Sequence, residues 1–387
     1  MKTMTNSKMA TAVNEVLFKG VKNPLYFNVF NFSDVHVGHQ NTPTEHILGN
    51  ADKILTDKFM SILDAIFITG DFFEKLLMLP EDRVLQIQAW ICKFLIRCKK
   101  FNICLRVLEG TGSHDYKQSR MFTTLNEPAC IGADVKYFSS VVVEDCERFG
   151  IKILYVPDNV SHNADEVYKK VLSALNEAGV EKVDFALTHG FFDFQLPVGV
   201  HAESAHNSYR YEKLVRYQIF NGHDHTHKIK GKIIVPGSLD RLKQGEEENK
   251  GGVHVRYSQT GERQINFIVN TGAKVYKTIE AFGWSIEKLY KHLDKFDFPD
   301  HSAICIKAGA EDPFKAAIME IRTRYYRYKI DVVRVKGVNE PTENKLENLT
   351  FKYEPISLNR DNLPTLLLSR ISKEVLPIAK PLLEQLL

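Results

Sequence analysis

Five apolar runs in this chain each stop at a glycine, an aspartate or a histidine. Residues 26–32 lead to Asp34, 65–68 to Gly70, 103–108 to Gly110, 185–187 to His189 and 217–220 to Gly222. Short β-rich runs of this kind predict buried strands, and the carboxyl ends of buried strands are where α/β proteins assemble polar sites. Between them, residues 45–63, 81–99 and 164–178 carry apolar positions at helical spacing. Strands alternating with helices predict an α/β (α+β) domain over residues 26–270, preceded by a polar lead at residues 1–25.

The pattern restarts after Gly272. Residues 285–293 read as a helix, 303–307 as a strand, 313–324 as a helix opened by Pro313, and 330–335 as a strand, which together predict a smaller α/β unit over residues 271–338. The remainder, residues 339–387, changes character. An Asn-, Glu- and Pro-containing linker runs to residue 358, and Leu363, Leu366, Leu367, Leu368, Ile371, Val375 and Leu376 then recur at partly helical spacing. Pro377 and Pro381 forbid one continuous helix, so two short helices are expected. Leucines this dense need a surface, either a partner's or the protein's own.

The polar residues at the strand ends form five motifs: Asp34-Val35-His36, Gly70-Asp71, Gly112-Ser113-His114-Asp115, His189-Gly190 and Gly222-His223-Asp224-His225. Taken singly each is ordinary, since Gly-Asp is common turn chemistry and a histidine after an apolar strand is commonly a satisfied core residue. Five in order, each at a strand end, point to one convergent site. Imidazole and carboxylate together suit Mn, Fe, Zn or Co, and a carboxylate can bridge two ions roughly 3.5–4 Å apart, as two-metal phosphoryl chemistry requires. Asp71 is the expected bridge.

The series resembles the calcineurin-like metallophosphoesterase superfamily, whose pattern is D-x-H, G-D, G-N-H-[DE], H and G-H-x-H. Asp34-Val35-His36-Val37-Gly38 is further similar to the opening motif of the SbcD branch, the nuclease subunit of the SbcC–SbcD DNA-repair complex. Pro236-Gly237-Ser238-Leu239-Asp240-Arg241, followed by an acidic stretch and Lys250-Gly251-Gly252-Val253, is similar to a second segment of that branch.

The resemblance implies a β-sandwich flanked by helices, a capping domain at residues 271–338 and a partner-binding tail. It implies Asp34, His36, Asp71 and His225 on one metal, and Asp71, Ser113, His189 and His223 on the other. His114 would be the general acid, oriented by Asp115. Ser113 stands where the family has a ligating asparagine, and a shorter neutral hydroxyl there is expected to weaken the second metal. Glu74 stands where relatives carry a residue near the DNA path. The cofactors implied are two divalent ions, Mn2+ with Mg2+ as the alternative. The implied activity is exonuclease and endonuclease cleavage of DNA, with an SbcC-like SMC-family ATPase docked on residues 339–387 and a homodimer within a heterotetramer. Two other readings stay open: a phosphomonoesterase or small-molecule phosphodiesterase, and a non-catalytic subunit that binds DNA ends.

Composition alters this picture little. The chain has 387 residues and 44% hydrophobic content, enough for one large domain and at least one smaller one. No apolar run approaches the roughly 18 residues of a membrane span, and the first residues form no signal-peptide core, so a cytoplasmic protein without membrane contact is expected. Six cysteines lie far apart without a C-x-x-C pair, which predicts reduced thiols. Net charge is only +3, so nucleic-acid contacts must be sought locally. Arg210, Lys213, Arg216, Lys228, Lys230, Lys232, Arg241 and Lys243 surround the last motif, and of these Arg210, Lys228, Arg241 and Lys243 are the candidate DNA contacts. Residues 322–329 interleave cations with aromatics, and the favoured reading there is a solvated face with tyrosines packed inward.

Overall fold

The structure, a computed structural model, describes residues 19–335 except 24, 79–81, 198, 201 and 259–261, with Asn159 described by its backbone alone. The expected helical tail at 339–387 and most of the polar lead at 1–25 lie outside the described residues.

The strands are β1 (Tyr26–Phe32), β2 (Ala65–Thr69), β3 (Cys104–Leu108), β4 (Val135–Phe138), β5 (Val142–Cys146), β6 (Ile151–Val156), β7 (Val183–His189), β8 (Val215–Gly222), β9 (Lys228–Lys230), β10 (Ile233–Val235), β11 (Gly251–Ser258), β12 (Arg263–Val269), β13 (Tyr276–Glu280), β14 (Ala303–Ala308) and β15 (Lys329–Arg334). The helices are α1 (Thr44–Ile54), α2 (Asp57–Met60), α3 (Asp82–Lys100), α4 (Met121–Asn126), α5 (Ala164–Glu177), α6 (Ser208–Leu214), α7 (Ile286–Leu293) and α8 (Ile318–Arg324). This is a mixed α/β fold.

Two six-stranded sheets, β12-β11-β1-β2-β3-β4 and β5-β6-β7-β8-β10-β9, pack face to face. The period-2 alternation of each strand sorts its side chains between two cores. Phe27 and Val29 of β1, Phe67 of β2, Phe185 and Leu187 of β7 and Phe220 of β8 fill the space between the sheets. Phe30, Phe32, Ile66 and Ile68 point the other way, onto Ile47, Ile87, Ile91 and Phe94 of α1 and α3. On the far side, Ala186 and Ile219 meet Val167 and Val171 of α5 and Tyr211 of α6. Helices therefore cover both outer faces of the sandwich.

β1, β2 and β3 run parallel, as do β7 and β8, with Phe32 opposite Ile68, Thr69 opposite Leu108 and His189 opposite Gly222. Every motif-bearing end consequently reaches one edge of the sandwich. The sheets approach so closely there that two positions need glycine. A Cβ on Gly70, at φ +86°, would lie 2.2 Å from His189 Nδ1, and one on Gly222 would lie 2.0 Å from the Thr69 carbonyl.

A third sheet, β13-β14-β15, is all parallel. Ile279, Ile304, Ile306 and Ile330 on its strands pack with Leu289 and Leu293 of α7, Ile321 of α8 and Phe314. β13 has only Ile279 buried, which is why its sequence carries no clear strand alternation. Two expected helices are broken. Residues 45–63 split at Leu55, because Thr56 caps α2 by accepting from the Phe59 amide (3.2 Å). The segment from Pro313 opens as a 3₁₀ turn through Lys315, and the α-helix begins only at Ile318.

The cation-rich segment at 322–329 is spent internally. Arg322 pairs with Asp331, Arg324 with Asp294 and Arg327 with Asp300. Tyr328 is buried, although Tyr326 is 82% exposed. All six cysteines are free thiols. No helix among the described residues is long and apolar enough to cross a membrane.

Candidate metal centre

Four of the ligand-type residues sit in the left-handed region of backbone space, which non-glycine residues seldom enter: Asp34 at φ +51°, His36 at +52°, Asp71 at +48° and His223 at +90°. Such conformations cost of order 1–3 kcal/mol each and persist where the surrounding structure over-determines them, commonly at functional sites. Here the loops are tied across the edge. The His36 amide donates to the Asp71 carbonyl (3.1 Å), and the His223 amide donates to both Asp34 carboxylate oxygens (3.1 Å each).

These bonds gather two triads whose ligand atoms lie within 4.8 Å of one another, Asp34 with His36 and His225, and Asp71 with His189 and His223. The residues fit a metal ion. His36 is 2% exposed; its Nδ1 pairs with Glu74 Oε2 at 2.7 Å, while its Nε2 has no hydrogen-bond partner. Buried imidazole nitrogens without partners are costly unless something else engages them, and a divalent cation does. His189 is fully buried, and its Nδ1 donates to the Thr69 carbonyl (2.7 Å), which leaves Nε2, 3.3 Å from Asp71 Oδ2, as the ligating atom.

The charges reinforce the grouping. Burial pushes the His189 imidazolium down, but the Asp71 carboxylate beside it outweighs burial and raises it to about 10. Burial in turn pushes the Asp71 carboxyl up, and the His189 charge and hydrogen bond more than reverse this, holding it below the usual carboxylate range. A metal must therefore displace a proton from His189. Adding Mn2+ to metal-free protein at pH 8 should release about one proton from this residue, because a ligating imidazole has to be neutral. A weakly buffered titration with no acidification at pH 8, with Mn2+ bound, would show that His189 is already neutral in the metal-free protein.

The structure corrects the expectation for Ser113, which is exposed on a turn, whereas the hydrogen bonds to the second triad come from Thr111. Thr111 takes its place. The Thr111 amide donates to Asp71 Oδ1 (2.6 Å), and its hydroxyl lies 3.3 Å from each of Asp71 Oδ2, His189 Nε2 and His223 Nδ1. The physical reason is the strand end. Thr111 is the first side chain after Gly110 and is aimed at Asp71 by its own amide, while Gly112 and Ser113 loop outward. Counting forward from Gly110, as at Gly70-Asp71, finds Thr111; counting back from His114 finds Ser113. Thr111→Val should raise the Mn2+ concentration needed for half-occupancy about 10-fold or more, in the range that loss of a metal-site hydrogen-bond partner costs. Ser113→Ala should leave the same titration unchanged, and the opposite ranking would restore Ser113 to the site.

The expected link from Asp115 to His114 is also corrected. His114 Nδ1 bonds the Glu74 carbonyl (2.8 Å). Asp115, fully buried, accepts instead from the amides of Phe73 (2.9 Å) and Gly110 (2.8 Å), joining the two motif loops. Burial, together with the charges of Asp71 and Glu109, pushes the Asp115 carboxyl up to about 8. His114 is partly buried with its ring 5.0 Å from the ring of His36, and belongs to neither of the two triads. It does form a further group of possible ligands with His36 and Glu74.

Glu246, in the acidic stretch, was given no role by the sequence. Its Oε1 lies 3.2 Å from His225 Nδ1 and its Oε2 accepts from the Leu242 amide (3.0 Å), so it orients His225 toward Asp34. Burial pushes the Glu246 carboxyl up, but these bonds win and hold it at about 2. Lys250, nearly fully buried, reaches the His225 carbonyl (2.8 Å) and pairs with Glu246 (3.1 Å). The segment around Ser238 backs the same residues, its amide donating to the His225 carbonyl (3.2 Å) and that of Leu239 to the Asp34 carbonyl (3.3 Å).

Three of the candidate DNA contacts have partners within the protein. Arg241 donates to the carbonyls of Lys274 (3.2 Å) and Glu248 (2.9 Å), Arg210 pairs with Asp165 (2.6 Å) and Lys228 with Asp224 (2.7 Å). Arg241 thereby ties its loop to the chain around Lys274. Lys243 is exposed.

No family model matches this chain. No curated protein matches it. Among solved structures, it is similar at 12% identity to TT1561 of Thermus thermophilus, over 62% of this chain and 98% of that one, with a TM-score of 0.35. It is similar at 13% identity to GAP50, described as the anchor in the inner membrane complex of Plasmodium, over 65% of this chain and 86% of that one, with a TM-score of 0.39. Likenesses of this degree leave the chemistry to be read from the chain's own residues, and those residues form clusters that could hold a metal ion.

Proposed function

We propose that this protein is a two-metal phosphodiesterase acting on DNA, with Mn2+ as its working ion. The observation that carries this reading is the pair of imidazole–carboxylate triads on one sheet edge, with Thr111 on Asp71 and a further histidine, His114, outside both. Asp34, His36 and His225 would hold one ion, and His189, His223 and the Thr111 hydroxyl the other, with Asp71 between them. Bound there, divalent ions supply positive charge against the phosphoryl oxygens and lower the pKa of the attacking water.

The remaining work falls to the chain itself. The Glu74 carbonyl accepts from His114 Nδ1, so Nε2 is the ring atom left to carry a transferable proton. His114 gives that proton to the departing ester oxygen, which would otherwise leave as a costly alkoxide. Glu246 and Glu74 orient the metal-side histidines, and the left-handed turns at Asp34, His36 and Asp71 fix their directions before substrate arrives.

DNA as substrate, and an SMC-like ATPase held by residues 339–387, are supported by the motif resemblance. The test is hydrolysis by purified protein in Mn2+ of bis(p-nitrophenyl) phosphate, p-nitrophenyl phosphate, linear duplex DNA and single-stranded DNA. Diester and DNA cleavage abolished by chelator is the expected result, with Mg2+ a weaker substitute because imidazole-rich sites favour the transition ion. Cleavage of the monoester alone would make this a phosphomonoesterase, and no cleavage of any substrate, with the ATPase supplied, would end the enzymatic reading.

A further inference from the structure

The mouth of the metal centre carries an aromatic ring that neither ligation nor proton transfer uses. Phe191 follows His189-Gly190, and its ring lies 4.4 Å from the ring of His223 at an interplanar angle of 84°. Its neighbour Phe192 is fully buried, packed edge-on against Tyr211 at 5.4 Å, in the core beneath the second sheet. The backbone here is pinned in extended pairing, the His206 amide donating to the Phe191 carbonyl (2.8 Å) and the Asp193 amide to the His206 carbonyl (2.9 Å). Successive side chains on extended backbone point to opposite sides. With Phe192 committed to the core, Phe191 must face the metal side, where it stays partly exposed.

A benzene ring contributes nothing to binding a phosphate, which wants cations and amide donors. It suits a flat, partly apolar group carried next to the phosphate. We propose that Phe191 is the stacking wall for the nucleobase of the nucleotide whose phosphate enters the metal centre. This rests on the phosphodiesterase reading and narrows its substrate to nucleotide esters. Every base has a π-face, so such a wall favours nucleotides over simple phosphate esters without selecting a sequence. With its backbone paired to His206 and its ring against His223, Phe191 has part of its freedom already restricted, which lowers the side-chain entropy that stacking costs.

The experiment compares binding of thymidine 5′-monophosphate and methyl phosphate to the Mn2+-supplemented full chain, by calorimetry, for the wild type, Phe191→Ala and Phe191→Trp. Wild type should bind the nucleotide about 5- to 160-fold more tightly than methyl phosphate, the range a base–aromatic stack is worth. Phe191→Ala should lose most of that preference with methyl phosphate affinity and Mn2+ content unchanged, and Phe191→Trp should restore it. Equal weakening of both ligands would overturn the inference and reduce Phe191 to a support for His223. A wild type with no preference for the nucleotide would overturn it as well. Hydrolysis of bis(p-nitrophenyl) phosphate, measured alongside, separates the two readings. Hydrolysis without nucleotide preference ends only the stacking wall; nucleotide preference without hydrolysis ends only the phosphodiesterase.

Discussion

Asp71→Asn should strip the protein of bound Mn2+ and of phosphodiester hydrolysis together. Asp71 is 2% exposed and its carboxylate meets His189 Nε2 at 3.3 Å, the Thr111 amide at 2.6 Å and the Thr111 hydroxyl at 3.3 Å. A carboxamide keeps the shape and one acceptor but removes the negative charge that would sit between two bound cations. The loss should exceed the roughly 10–100-fold that removal of an outer-shell partner costs. Metal content per chain and turnover, read on the same preparation, check it. Retention of one tightly bound equivalent with activity gone would mean that Asp71 serves one ion and does not bridge.

His114→Ala should do the reverse, leaving Mn2+ content near the wild-type value while turnover falls about 10²–10⁴-fold, the usual cost of a lost general acid. The separation is expected because His114 stands outside the two triads and is held by a main-chain carbonyl, which no substitution at Glu74 would remove. A substrate with a good leaving group needs less protonation, so p-nitrophenyl esters should lose less than DNA. Metal loss in His114→Ala would assign this residue, with His36 and Glu74, to ligation.

Much of the centre could be read without coordinates, for a local reason. Residues such as Asp34, Asp71, His189 and His223 sit at the ends of buried runs, and strand burial is written in the composition of a few consecutive residues. β1 spans Tyr26–Phe32 as the apolar run does, and the helix expected at 164–178 is α5, Ala164–Glu177, capped by Asn163. Gly70 was legible as a turn residue, though the need for glycine at 70 and 222 is a clash with the opposite sheet that only the packed sandwich creates.

What the sequence determined by itself is the strand and helix alternation, the type of ligand at each strand end and hence the class of chemistry available. These depend on the periodicity of burial and on functional groups, both carried by the residues in order. Tertiary structure decided which of Thr111 and Ser113 reaches Asp71, that Asp115 holds two loops instead of His114, that Glu246 orients His225, and which carbonyls and carboxylates Arg241, Arg210 and Lys228 meet within the protein. Each of those outcomes is a choice among partners far apart in the chain. It turns on ångström-level differences in where two loops meet, and nothing in the spacing of residues along one loop records where the other will be.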